Sequence, residues 1–89
     1  MIERAVTIAN KHGLHARPAA EIVKTAAKFK SEITLIKDDV EVNGKSIMGV
    51  MMLAAEYGSQ LVLRVDGPDE QAAIDALATL IESKFGESH

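Results

Sequence analysis

Hydrophobic and polar positions follow two different periods along the chain, and the changes of period divide it into seven predicted elements. Apolar residues at every second position predict four strands, over residues 2–9, 33–35, 40–42 and 61–66. Apolar residues at helical spacing predict three helices, over residues 16–29, over residues 46–55, and from Gly67-Pro68-Asp69 to Phe85. Lys37-Asp38-Asp39 is a turn sequence, so the second and third strands form a hairpin.

The order of these elements, β-α-β-β-α-β-α, indicates the fold class. The strands alternate and are therefore half-buried, unlike the continuous apolar strands of a parallel sheet that is covered on both faces. We expect an α+β fold of two layers, an open-faced sandwich with helices on one face of an antiparallel sheet, which leaves Thr7, Thr34 and Arg64 on the solvent side. At 89 residues, we expect one domain over residues 1–89.

Composition excludes several classes of protein. Hydrophobic residues make up 47% of the chain but aromatic residues only 3%, which speaks against a deep stacking pocket. With no cysteine, disulfides, thiolate nucleophiles and cysteine-bound zinc are excluded. The N-terminal sequence has no secretion signal and the longest apolar stretch, residues 47–55, is too short to span a membrane, so we expect a cytoplasmic protein without membrane insertion.

Charge is unevenly distributed along the sequence. The net charge of −3 speaks against nucleic-acid binding. Residues 1–45 contain eight Lys/Arg and six Asp/Glu, net +2, whereas residues 46–89 contain two and seven, net −5. We therefore expect an acidic partner to prefer the first half of the chain.

The sharpest candidate site lies where a loop becomes the first helix, at Gly13-Leu14-His15-Ala16-Arg17-Pro18. A helix start presents unpaired N–H groups and the positive end of the helix dipole, which together bind anions. Pro18 fixes where the helix begins, and the guanidinium of Arg17 matches phosphate oxygens. A neutral imidazole at His15 beside these donors suggests a phosphoryl acceptor. The alternative is that His15 only caps the helix and Arg17 is a solvated charge.

A second candidate is the apolar helix that begins in Lys45-Ser46-Ile47-Met48-Gly49-Val50-Met51-Met52-Leu53. A short helix in a two-layer domain buries one face, so some of Ile47, Met48, Met51 and Met52 should be exposed, on a surface suited to several partners. Alternatively, the methionines fill gaps in the core. Ser46 is predicted to be the N-cap.

The remaining histidines and acidic residues carry weaker signals. His12 lies three residues before His15, but the pair lacks a third metal ligand, so we expect a surface histidine. Asp38, Asp39 and Glu41 lack the pattern of a calcium loop, and His89 is terminal. No nucleotide or dinucleotide motif is present in the sequence. We expect no metal and no cofactor.

The two candidate segments around His15 and Ser46 both match motifs of one family, and they do so in the same register. The chain therefore resembles HPr, the histidine-containing phosphocarrier family of the bacterial phosphoenolpyruvate-dependent sugar phosphotransferase system. The resemblance rests on residues 13–20, Gly-Leu-His-Ala-Arg-Pro-Ala-Ala, and on residues 43–51, Asn-Gly-Lys-Ser-Ile-Met-Gly-Val-Met. It implies a four-stranded antiparallel sheet in the order 1-4-2-3, covered on one face by three helices.

The resemblance also implies a function and the residues that perform it. His15 would accept a phosphoryl group on Nδ1 from phosphorylated enzyme I and pass it to the IIA component of a sugar permease, without turnover of its own. Arg17 and the amides of Ala16 and Arg17 would stabilise the group. Ser46 would be phosphorylated by an HPr kinase/phosphorylase, and partners would dock on Ala20, Ile47, Met48 and Met51. We expect a monomer.

Three alternatives stay open at this stage. The parallel nitrogen-regulatory branch uses similar carriers. A small domain of this class could instead be a non-catalytic module that binds a small ligand or another protein. A phosphatase with His15 as nucleophile lacks an obvious second acid and a pocket.

Overall fold

Four antiparallel strands form one sheet in the computed structural model, which describes residues 1–86. The strands are β1 (Ile2–Thr7), β2 (Glu32–Lys37), β3 (Val40–Asn43) and β4 (Gln60–Asp66). Their order in the sheet is β1-β4-β2-β3. The predicted strand order and the predicted β2-β3 hairpin are therefore confirmed.

Three helices cover one face of the sheet: α1 (Ala16–Ala26), α2 (Ile47–Met52) and α3 (Glu70–Glu82), the last followed by a 3₁₀ turn (Lys84–Gly86). With the sheet they form the predicted two-layer α+β fold. Apolar side chains from both layers make one core. Its fully buried large members are Ile8, Ile22, Leu35, Val50, Leu61, Leu63, Val65, Ile74, Leu77 and Ile81.

The helices are shorter than the apolar period predicts. The residues after α1 form tighter i→i−3 bonds, from the Lys28 amide to Thr25 and from the Phe29 amide to Ala26. α2 ends before Ala54, whose φ of +50° is left-handed. α3 ends at Glu82, and Phe85, at φ +57°, belongs to the 3₁₀ turn instead. Phe85 is nevertheless buried, so the apolar stripe continues beyond the regular helix.

The open face of the sheet carries the polar residues that were expected there. Thr7 is exposed, while Thr34 and Arg64 are half-buried. The Arg64 guanidinium donates to Glu3 on β1 at 2.7 Å and to Glu41 on β3 at 3.2 Å. These carboxylates, Glu3 above all, raise the pKa of Arg64. A single side chain on β4 thus binds both edge strands, β1 directly beside it and β3 across β2.

Candidate functional site

His15 is the last residue before α1. Its backbone is extended, at φ −82° and ψ −173°, and its carbonyl accepts the first hydrogen bond of the helix, from the Ala19 amide at 3.0 Å. The imidazole is exposed and makes no capping hydrogen bond to the helix. The alternative in which the His15 side chain serves as the cap is therefore wrong.

The amides at the start of α1 are directed out of the helix end. Ala19 is the first residue that donates along the helix, and the preceding residue, Pro18, has no N–H. The amides of Ala16 and Arg17 therefore have no intrahelical partner. No acidic side chain lies in the first turn to compete for them. An anion at this position would meet two N–H groups and the positive end of an 11-residue helix.

Arg17 is exposed and lies in the first turn of α1. Within residues 1–86 its guanidinium forms no ion pair and no side-chain hydrogen bond. A planar donor in this state can bind phosphate oxygens without first breaking another contact.

The loop before His15 is fixed by the segment that follows α2. The Leu14 amide donates to the Ala55 carbonyl at 2.9 Å, and the Leu14 side chain is buried. Gly13 has φ +69°, and a Cβ on it would lie 2.5 Å from the Ala55 oxygen. Only glycine fits this turn. The close contact between Gly13 and Ala55 therefore fixes the position of the loop that carries His15.

His12 lies beside His15 in the structure. The centroids of the two imidazole rings are 6.2 Å apart, and the ring planes meet at 77°. Within residues 1–86 no group of three or more His, Cys, Asp or Glu side chains is arranged to hold a metal ion. In the same part of the chain, no helix has the length and apolar character needed to cross a membrane. His89 lies outside the described residues.

Ser46 caps α2, as predicted. Its hydroxyl oxygen accepts a hydrogen bond from the Gly49 amide at 3.1 Å, and its backbone is extended. The preceding turn is held by the Asn43 carboxamide, which accepts from the Lys45 amide at 2.8 Å. The Lys45 ammonium donates to the carbonyl of Phe29, just beyond α1. The start of α2 is thereby connected to the end of α1.

The apolar side chains of α2 are exposed except on one side. Val50 is the buried residue of the helix, whereas Met48 and Met52 are 76% and 71% exposed. Ile47 and Met51 are about half exposed. The interpretation in which the methionines fill the core is therefore wrong. Ala20, the other residue predicted for docking, is half-buried on α1, the helix against which α2 packs.

Sequence reasoning missed two features of this site. The first is the Ala55 carbonyl, 40 residues from His15, which accepts from the Leu14 amide and holds the His15 loop. No local sequence pattern predicts a backbone contact of this kind. The second is Asn10, which directly follows the predicted first strand and to which the pattern assigns no role. It is fully buried, and its side-chain amide donates to the Gly13 carbonyl at 2.7 Å.

Comparison with known proteins gives a consistent result. Residues 2–83 match the family model described as "PTS HPr component phosphorylation site". The phosphocarrier protein HPr of Treponema pallidum is 52% identical over 87 residues, which are 98% of this chain and 99% of that protein. The phosphocarrier protein NPr of Shewanella violacea is 39% identical, covering 98% and 96%.

Solved structures agree with these matches. The crystal structure of HPr-C-His from Thermoanaerobacter tengcongensis superposes with a TM-score of 0.96 at 54% identity, with both chains fully covered. A crystal structure of an HPr dimer from that organism has a TM-score of 0.79 at 55% identity, covering 98% of this chain and 100% of that one. The sequence match, the strand order and the two motifs lead to one conclusion: the chain belongs to the HPr family of phosphocarrier proteins of the phosphotransferase system.

Proposed function

We propose that the chain accepts a phosphoryl group on Nδ1 of His15 from phosphorylated enzyme I and passes it to the IIA component of a sugar permease. The observation that supports this proposal best is the exposed His15 in extended backbone at the start of α1, next to amides that have no intrahelical partner. In the first step a P–N bond forms at the Nδ1 lone pair as the bond from phosphorus to enzyme I breaks. In the second step the reverse exchange occurs with the IIA acceptor, and the neutral imidazole is restored.

The helix start stabilises charge rather than supplying reactive groups. The amides of Ala16 and Arg17 and the Arg17 guanidinium donate to the phosphoryl oxygens, which carry the charge during transfer. These donors lie at the surface, so the group stays accessible to the next acceptor. The chain acts as a carrier and has no turnover in the absence of its partners.

The partners dock on the exposed apolar residues of α2 and on the adjoining part of α1. This docking face consists of Ile47, Met48 and Met51 on α2 and Ala20 on α1, the helix that follows His15. Flexible methionine side chains adapt to differently shaped partners, as a carrier between two proteins requires.

Labelling with enzyme I and radioactive phosphoenolpyruvate tests the proposal. Wild-type protein should take up acid-labile label, and His15→Ala should take up none. His12→Ala is the matched control, since it removes the neighbouring imidazole, and it should still be labelled. Label that persists in His15→Ala would place the acceptor elsewhere, and absence of label in the wild type would favour the non-catalytic binding module.

Arg17→Gln tests the role of the guanidinium. Loss of one preorganised charged donor should lower the rate of His15 labelling by about tenfold to a hundredfold. Lys24→Gln, also on α1, should change it by less than about threefold. Equal rates for the wild type and Arg17→Gln would remove Arg17 from the transfer step.

Ser46 is the proposed site of regulation by an HPr kinase/phosphorylase. A phosphate on its hydroxyl would replace the cap of α2 and add about two negative charges next to Ile47 and Met48. We expect phosphorylation by the kinase and ATP to be abolished in Ser46→Ala. The phosphorylated wild type should then accept from enzyme I at least about tenfold more slowly than the unmodified protein. An unchanged rate would contradict a regulatory role for this site.

The greater identity to an HPr, 52%, than to an NPr, 39%, supports the sugar branch over the nitrogen-regulatory branch. Faster labelling by the enzyme I of the sugar branch than by its nitrogen-branch counterpart would agree with this assignment. We further propose that the carrier works as a cytoplasmic monomer. Light scattering at working concentration checks the monomer against the dimer known for the Thermoanaerobacter relative.

A further inference from the structure

Asn10 is an unusual residue for the interior of this protein. It is one of two buried polar residues in residues 1–86, the other being Ser31, and its exposed fraction is 0%. Its side-chain nitrogen donates to the Gly13 carbonyl at 2.7 Å, but its Oδ1 has no hydrogen-bond partner among the described residues. Burying an unpaired acceptor lowers stability, so this arrangement calls for a physical reason.

The orientation of the Asn10 side chain is dictated by the loop. The Gly13 carbonyl is an acceptor, so only the NH₂ edge of the carboxamide can face it, and Oδ1 is left in the interior. The Gly13 amide in turn donates to the Asn10 carbonyl at 3.2 Å. The two bonds close residues 10–13 into a ring, with Gly13 at φ +69°.

This ring is locked onto the rest of the molecule immediately before His15. The Leu14 amide binds the Ala55 carbonyl at 2.9 Å, and the Leu14 side chain lies in the core. On the other side of His15, Pro18 and Ala19 are buried in α1. His15 and the amides of Ala16 and Arg17 therefore occupy a short exposed stretch between two fixed anchors, and the Asn10 carboxamide shapes the first of them.

We propose that Asn10 is a positioning residue for phosphoryl transfer, whose side-chain amide sets the loop that aims His15 and the helix-start amides at the same phosphoryl group. The inference rests on the proposed carrier function. Positioning of reacting atoms is sensitive to displacements of about 1 Å. The unpaired Oδ1 is then a cost in stability that accompanies a loop geometry needed for transfer.

The test is the steady-state rate of His15 labelling by enzyme I for Asn10→Ala and Asn10→Asp. Both variants lack the N–H donor, and Asn10→Asp keeps the shape of the side chain. We expect the maximal rate to fall about tenfold to a hundredfold, while the KM for the carrier stays within about twofold because the docking face is unchanged.

Ser31→Ala is the matched control. Ser31 is equally buried but binds Asp69, and it follows α1 at the end opposite His15. We expect its maximal rate to stay within about twofold of wild type, with all variants assayed at a temperature where circular dichroism shows them folded. Asn10 variants that transfer at the wild-type rate, or that slow no more than Ser31→Ala does, overturn the inference.

A measurement on the wild-type protein keeps the inference testable if the Asn10 variants do not fold. The Leu14 amide should exchange its hydrogen as slowly as core amides such as that of Leu63. Exchange more than about a hundredfold faster would show that the loop opens independently and would overturn the inference. Wild-type protein that accepts no label from enzyme I would overturn the carrier function itself, a result distinct from normal transfer in the Asn10 variants.

Discussion

Ala54 adopts a backbone conformation that side chains other than glycine resist. At φ +50° its Cβ approaches the neighbouring backbone, which costs about 1–2 kcal/mol for an L-residue. The residue is exposed, and it ends the extension of α2 just before the Ala55 carbonyl that binds Leu14. A single strained residue thus directs the chain back to the His15 loop.

Ala54→Gly should therefore stabilise the protein. Glycine removes the steric cost but adds freedom to the unfolded chain, and the net gain should be about 0.5–1 kcal/mol. The midpoint of urea unfolding measures it. The same substitution at exposed Ala72 in α3 is the control and should destabilise by about 0.5–1 kcal/mol. A loss of stability in Ala54→Gly would show that no relievable strain is stored there.

Among the elements, α2 combines a buried anchor with the exposed apolar residues of the proposed docking face. One residue of the helix, Val50, anchors it in the core, and Ser46 caps it, whereas Met48 and Met52 are mostly exposed. Replacing one exposed apolar side chain on such a helix by a polar one changes the free energy of unfolding little.

Met48→Gln should accordingly separate docking from stability. We expect the free energy of unfolding to change by less than about 0.5 kcal/mol, because Met48 is 76% exposed. The kcat/KM for labelling by enzyme I should fall about tenfold, the loss of one interface anchor. Val40→Thr, at an exposed apolar position on β3, should leave kcat/KM within about twofold. An unchanged kcat/KM in Met48→Gln would exclude Met48 from the docking face.

A carboxylate joins the start of α3 to the start of β2. Asp69 accepts from the Ser31 hydroxyl, from the Lys30 amide at 2.8 Å and from the Ser31 amide at 3.0 Å. These donors, the Ser31 hydroxyl first, hold the pKa of Asp69 below its ordinary value of 3.8. The folded state therefore favours the ionised form. Stability from this group is fully present above about pH 4 and is lost as the pH falls through the lowered pKa.

Asp69→Asn should reveal that pH dependence. The variant should unfold at lower urea than wild type at pH 7, and the difference should shrink as the pH falls below about 4. Asp75→Asn, which removes an exposed ion pair with Arg4, is the control, and it should change stability by less than about 0.5 kcal/mol at pH 7. If the difference in unfolding free energy between the wild type and Asp69→Asn were the same at all pH values, the lowered pKa of Asp69 would be contradicted.

The limits of sequence reasoning also lie at the scale of elements. Periodicity identified every strand and helix because half-buried elements must repeat their apolar residues. It extended α1 to Phe29, α2 to Ala55 and α3 to Phe85, because burial continues where regular helical geometry has stopped. Left-handed residues such as Ala54 and Phe85 have no reliable sequence signal, since neither is glycine.

The candidate site was predictable to a similar degree. A helix start with proline and arginine indicates a candidate anion site from the local sequence alone, and the serine cap of α2 is equally local. The loop that supports His15 contains a local bond, from the Asn10 side chain to Gly13, but it is held in place by the Ala55 carbonyl, whose bond with Leu14 forms only when α2 and the following segment are assembled. Such long-range backbone contacts have no period and no preferred residue type.

At the scale of the whole molecule, the uneven charge of the sequence bears on the surface of α1. Arg17 and Lys24 are both exposed and lie seven residues apart, so they project from the same side of α1, Arg17 in the first turn next to His15 and Lys24 in the last turn. Most of the acidic excess belongs to residues 46–89, which include α3. Although the net charge of the chain is −3, α1 carries Arg17 and Lys24 against one carboxylate, Glu21, so a partner that approaches His15 meets a helix with a small positive excess.

Transfer from enzyme I should therefore depend on salt. Raising NaCl from about 0.02 M to about 0.3 M shortens the screening length from about 20 Å to about 6 Å, and kcat/KM should fall about tenfold. Lys24→Gln should lower kcat/KM at low salt by up to about threefold and flatten this dependence. Lys30→Gln, an exposed change beyond the opposite end of α1, should retain the wild-type slope. As a control, the phosphorylation of enzyme I by phosphoenolpyruvate is measured separately at each salt concentration. A constant kcat/KM would show that apolar contacts alone guide the encounter.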